Sequence, residues 1–134
     1  MQQTIKSFSL LLAGIAVISL IVGGIGIMNM MLVSISERKR EIGIRKAIGA
    51  AFSDILTQFL TESIVICLVA GLCGVAFGYA ISLVVVSFFE WELIVSSRSI
   101  ILALTFALGT GMLFGIYPAL KAARLPPMVA LKDL

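Results

Sequence analysis

Side chains able to do chemistry are scarce in this sequence, and most crowd into one stretch. It reads Glu37-Arg38-Lys39-Arg40-Glu41-Ile42-Gly43-Ile44-Arg45-Lys46-Ala47-Ile48-Gly49-Ala50. Such a mixture of charge and aliphatic residues can recognise a surface, but it cannot run a reaction. The chain has no His, which removes the usual metal and acid–base chemistry. Cys67 and Cys73 are six apart and form no C-x-x-C pair, so they read as small hydrophobes. No G-x-x-x-x-G-K-[ST] phosphate loop occurs, so ATP is not bound by this chain. No paired carboxylates lie in an apolar stretch, which argues against an intramembrane protease or a proton-coupled carrier. The expectation is no catalytic residue, no cofactor and no metal. Nucleic acid is a poor partner too, because the basic residues alternate with Glu37, Glu41 and Asp54 and no aromatics interleave them.

The basic segment has helical spacing. Glu41 and Arg45 are four apart with the acid first, the favourable order. Ile44, Ala47 and Ile48 fall on one face. Gly49 suits the C′ position, and Ser53 suits the N-cap of a following helix with Asp54 in its first turn. A short amphipathic helix between breakers follows. Two uses stay open. It can rest on anionic lipid head groups. It can dock a cytoplasmic partner, burying Ile44, Ala47 and Ile48 inside a rim of Arg38, Arg40, Glu41, Arg45 and Lys46.

The elements that must hold this segment are membrane spans. Of 134 residues, 60% are hydrophobic and only 13% charged, and mean hydropathy is +1.17. Three stretches, 8–36, 63–89 and 99–120, carry no charge and exceed or match the ~20 residues a spanning helix needs. Backbone polar groups facing lipid must be satisfied internally, so each is expected to be a helix. The first continues too far for a signal peptide and reads as an uncleaved span. Cations concentrate at 38–46 and in a tail with Lys121, Arg124 and Lys132, against only Lys6 and Arg98 elsewhere. The positive-inside rule then puts segment 37–62 and the tail 121–134 in the cytoplasm and the N-terminus outside.

Within the spans, Gly23, Gly24 and Gly26, the Gly74-x-x-x-Gly78 pair and the Gly111-x-x-x-Gly115 pair are candidates for close helix packing. Asn29, strongly polar inside a span, is expected to form an interhelical hydrogen bond. Gln58, Thr61 and Glu62 precede the second span and point to an interfacial elbow. Glu90-Trp91-Glu92 reads as a short outer turn. The third span ends near Tyr117-Pro118, Pro126-Pro127 stops any continuing helix, and Met128 to Leu134 reads as a tail with one helical turn.

The Gly23-Gly24-Ile25-Gly26-Ile27-Met28-Asn29 run and the Glu37–Ala50 segment closely resemble the MacB-type, FtsX-like permeases of ABC transporters. Asp54-Ile55-Leu56-x-Gln58-Phe59-Leu60-x-Glu62 and Pro118-Ala119-x-Lys121-Ala122-Ala123-Arg124-Leu125-x-Pro127-x-x-Ala130-Leu131 extend the resemblance over essentially the whole chain. It implies an all-α membrane protein of three transmembrane helices, with a short cytoplasmic amphipathic coupling helix between the first and second. Such permeases sit in the bacterial inner membrane, have four spans with a large extracytoplasmic domain after the first, dimerise, and pair with a cytoplasmic ATPase that binds the ATP. The segment 37–50 would carry the coupling. This chain would be the C-terminal membrane part, a fragment or split-gene product lacking the first span and outer domain. It departs from the usual pattern at Pro126 and Val129. Family substrates include macrolides, peptides and lipoproteins, and the runner-up role is gating an extracellular cell-wall hydrolase. A free-standing small membrane protein is the remaining reading.

Overall fold

The computed structural model describes residues 2–89 and 95–127. The expected outer turn at Glu90–Glu92 and the tail from Met128 lie outside the described residues. Four helices follow one another: α1 (Gln2–Glu37), α2 (Lys39–Ala47), α3 (Phe52–Phe89) and α4 (Ser97–Ala123). Among the described residues every regular element is helical. The three long helices are each apolar enough to cross a membrane, as the uncharged stretches require.

At 1.5 Å per residue, α1 and α3 reach about 54 and 57 Å and α4 about 40 Å, against a hydrocarbon core of ~30 Å. The surplus of α3 explains a difference from expectation. Gln58, Thr61 and Glu62 do not form an elbow; they lie on the first turns of one unbroken helix. A helix this much longer than the hydrocarbon core has length to spare for polar turns outside it.

Local chemistry sets the breaks. Arg38 departs from helical geometry between α1 and α2 (φ −97°, ψ 10°), yet its N–H still donates to the Ser34 carbonyl and its carbonyl accepts from the Ile42 N–H, both at 3.0 Å. The chain bends there without orphaning a backbone group. At the end of α2, Gly49 takes φ +108°, the left-handed region that glycine enters without Cβ strain. The Ala50 N–H reaches the Arg45 carbonyl at 2.9 Å and the Gly49 N–H the Lys46 carbonyl at 3.1 Å. This is a Schellman closure, as the C′ assignment of Gly49 anticipates. The start of α3 differs from expectation. Ser53 lies inside the first turn, and Asp54 instead turns its carboxylate back to accept from the Ala51 N–H at 2.9 Å. The third side chain of a helix can satisfy the N-cap amide in this way, so the acid displaces the hydroxyl. Ser96 caps α4, accepting from the Arg98 N–H. Pro118 is carried inside α4, which runs past it to Ala123.

α4 is the central helix. It packs mainly along α3 and, on its other side, along α1. The α3–α4 seam is tight because two glycines remove side chains. A Cβ at Gly115 would lie 2.7 Å from the Ser63 Cβ, and one at Gly111 2.9 Å from the Cys67 Cβ. Ser63 is fully buried there and donates to the Leu60 carbonyl at 2.8 Å and the Gly111 carbonyl at 3.2 Å. Gly71 meets Ala107 higher on the same seam, and Gly24 accepts the Phe114 ring where α1 crosses α4. Gly23, Gly26, Gly74 and Gly78 face open space instead. Asn29 is exposed, and no interhelical hydrogen bond to it occurs among the described residues. Its face of α1 is turned away from α3 and α4.

The buried core sits at the α2 end of the bundle. Met31 and Ile35 of α1, Ile42 of α2, Ile55 and Phe59 of α3, and Ala119, Ala122 and Ala123 of α4 close around one another. Towards the opposite end, large apolar side chains such as Leu10, Leu12, Phe77, Ile81, Phe88 and Ile101 are exposed on all three long helices. Exposure on that scale is untenable in water but ordinary against lipid.

Candidate functional site

The α2 helix presents two faces with opposite fates. Its inward face is anchored. Ile42 is 3% exposed and Gly43 is buried, so the backbone of α2 lies directly on the core. Lys46 also points inward. Its Nζ donates to the carbonyl of Ala123 and, at 2.9 Å, to that of Leu125. The last carbonyls of a helix lack intrahelical partners and carry the negative end of its dipole, so an ammonium there is favourable twice over. Lys46 thus staples α2 to the C-terminal end of α4.

Two arginines tie α2 and its entry to α3. Arg45 donates through Nη1 to Gln58 Oε1 at 2.8 Å and through Nη2 to Glu41 Oε1 at 2.6 Å. Arg38, at the junction of α1 and α2, pairs with Glu62 of α3 at 3.6 Å. Exposed pairs of this kind contribute well under about 1 kcal/mol each. Their value is orientation: they fix the rotation of α2 about its axis, while the apolar core supplies most of the holding energy. Gln58 and Glu62 were legible as polar residues at i and i+4, but their partners on α1 and α2 were not.

The outward face is open. Ile44 is 43% exposed, Ile48 is 82% exposed, and Ala47 lies exposed between them. Phe52, 46% exposed at the start of α3, continues the patch. Full burial of an aliphatic side chain is worth about 1.5–3 kcal/mol relative to exposure in water, a stabilisation that Ile48 does not gain among the described residues. Arg40 is exposed nearby and forms no ion pair among the described residues. Of the expected docking set, the structure thus gathers Ile44, Ala47 and Ile48 on one exposed face, with Arg40 exposed nearby. It engages Arg38, Glu41 and Arg45 sideways, and turns Lys46 inward. No cluster of potential metal ligands occurs among the described residues.

Residues 13–127 match the model of the FtsX-like permease C-terminal family. A macrolide export ATP-binding/permease protein MacB from Bdellovibrio bacteriovorus is 52% identical over 132 residues, covering 98% of this chain and 20% of the relative. A probable syringafactin export ATP-binding/permease protein, SyfD of Pseudomonas syringae pv. tomato, is 51% identical over 131 residues, covering 97% of this chain and again 20% of the relative. A probable export ATP-binding/permease protein of Pseudomonas fluorescens is 52% identical with the same coverage. The chain spans about a fifth of the length of the curated relatives it matches. With its three apolar helices and the charged α2 segment between the first two, the chain belongs to the FtsX-like permease family of MacB-type ABC exporter components.

Proposed function

We propose that this chain is the membrane-spanning part of an ABC exporter permease in a bacterial inner membrane, and that α2 is where ATPase movement enters it. The ATPase binds the ATP, either as a separate subunit or as another domain. Ile44, Ala47 and Ile48 bury against it, with Arg40 beside them. The working unit contains a second permease copy, and the first span and extracytoplasmic domain belong to the remainder of the permease. The N-terminus of this chain lies outside and α2 in the cytoplasm.

One observation carries the reading. The α2 helix is tied to α3 and to the end of α4 on its inner side while its outer aliphatic face is exposed among the described residues. A partner that pulls on that face displaces α3 and α4 together, because Ile42, Ile55, Phe59, Ala119 and Ala122 pack as one body. Helices of this length then carry the displacement to the far side of the bilayer without any chemistry of their own. The relatives' names, which join an ATP-binding part to a permease and specify export, favour this role over control of a wall hydrolase.

Ile48→Asp in the complete permease tests it. The substitution places an unpaired carboxylate in the contact, at a site whose exposure spares the fold. ATPase binding, measured with the ATPase expressed as a separate chain, should fall at least thirtyfold, and transport should be lost with membrane insertion intact. Normal ATPase binding by this variant would remove α2 as the docking element.

A further inference from the structure

The outer face of α4 ends in a second feature that the docking surface does not use. Leu113 (73% exposed) and Tyr117 (57% exposed) lie one turn apart, followed on the same side by exposed Lys121 and Arg124. Their spacing of four, four and three residues makes a single stripe down the helix. A cleft of about 310 Å³ opens at its lower end, lined by Tyr117, Leu120, Lys121, Arg124, Leu125 and Pro126. Neither cation forms an ion pair among the described residues. The nearby C-terminal carbonyls of α4 do not need them, since the Ala123 and Leu125 carbonyls accept from Lys46 and those of Leu120 and Ala122 from the Arg124 and Leu125 amides.

We propose that this cleft binds the phosphate head group of an anionic glycerophospholipid, with an acyl chain lying along Leu113 and Tyr117. Three observations converge. The stripe is apolar where α4 faces hydrocarbon and turns cationic within one to two turns of Tyr117, the depth at which a phosphodiester sits. A planar guanidinium and a flexible ammonium, three residues apart, can reach different oxygens of one phosphate. An adjoining aromatic belongs at the same interfacial level. Free inorganic phosphate lacks the apolar half of this match, so the lipid is the committed ligand. The inference rests on the membrane placement of α4 alone and is independent of ATPase docking.

Native mass spectrometry of the purified chain in detergent, with phosphatidylglycerol or phosphatidylcholine added, tests it. Each cation close to an anionic group is worth about fivefold in affinity, so Lys121→Gln with Arg124→Gln should lower phosphatidylglycerol retention about thirtyfold and phosphatidylcholine retention much less, because its choline cation already offsets the same phosphodiester charge. The preference for phosphatidylglycerol should then be lost. Lys121→Arg with Arg124→Lys should keep the preference. Lys6→Gln with Arg98→Gln, which removes the same net charge elsewhere, should keep it also, and inorganic phosphate should not displace the lipid. The proposal is overturned if the Lys121/Arg124 double variant retains the wild-type preference. It is equally overturned if the Lys6/Arg98 control loses as much, or if inorganic phosphate competes as well as the lipid.

Discussion

Adding one methyl group at Gly115 should separate α3 from α4. The new Cβ would stand 2.7 Å from the Ser63 Cβ and closer still to its hydroxyl oxygen. Ordinary carbon–carbon contacts lie at about 3.5–4.0 Å, so roughly 1 Å of displacement is required. Turning the Ser63 hydroxyl relieves only the oxygen clash. The Cβ is fixed by the α3 backbone, and the hydroxyl is held by the Leu60 and Gly111 carbonyls. Overpacking of this kind costs about 1–3 kcal/mol, and losing the Ser63–Gly111 hydrogen bond adds about 0.6 kcal/mol at membrane depth. Gly115→Ala should therefore destabilise the chain by about 2–3 kcal/mol, read by helical circular dichroism across an SDS titration in mixed micelles. Gly111→Ala should cost less, because part of its clash is with the rotatable Cys67 sulfur at 2.9 Å. Gly74→Ala and Gly78→Ala meet open space and should be neutral or slightly stabilising through helix propensity. Ser63→Gly, introduced into Gly115→Ala, removes both clashing atoms and should recover at least about 1 kcal/mol. Equal stability for Gly115→Ala and Gly78→Ala would refute this account of the seam.

Lys46→Ala leaves the Ala123 and Leu125 carbonyls without their charged donor, and should cost about 1–3 kcal/mol. Amide exchange should accelerate at α2 and at the end of α4 well before it does in α3. In a background with Cys67 and Cys73 replaced by Ala, new cysteines at Ser36 and Ser53 should label from the cytoplasm and one at Ser97 from outside; the opposite pattern would invert the orientation. Arg45→Ala frees Gln58 and Glu41 together and should loosen the rotation of α2 with less than about 1 kcal/mol of destabilisation, so its effect should be visible in coupling rather than in unfolding.

The sequence carried most of the α2 surface and less of the packing. Helical spacing placed Ile44, Ala47 and Ile48 on one face, and Gly49 marked the turn, because both follow from local periodicity and backbone sterics. Lys46 could not be oriented the same way. Its partners, Ala123 and Leu125, lie far along the chain, and no local rule says which end of α4 returns beneath α2. The glycine motifs show the same limit. Gly74-x-x-x-Gly78 and Gly111-x-x-x-Gly115 are indistinguishable as patterns, yet among the described residues only the second meets a neighbour. What separates them is Ser63, a small polar residue at the right height on α3. Gly24 and Gly71 pack closely without belonging to either pair. At the start of α3 the helix begins at Phe52, one residue before the expected cap Ser53, which puts Asp54 third in the helix and its carboxylate on the Ala51 amide.

The most direct test of α2 as the entry point for ATPase movement is site-specific photocrosslinking in native membranes. A benzophenone side chain at Ile48, the 82% exposed C-cap residue of α2, should give an adduct with the ATPase whose yield changes when ATP is trapped. The same probe at exposed Phe77, on the lipid-facing part of α3, should give none. Adducts at Ile48 with lipid alone, at every nucleotide state, would contradict the account and leave α2 as a helix resting on the membrane surface.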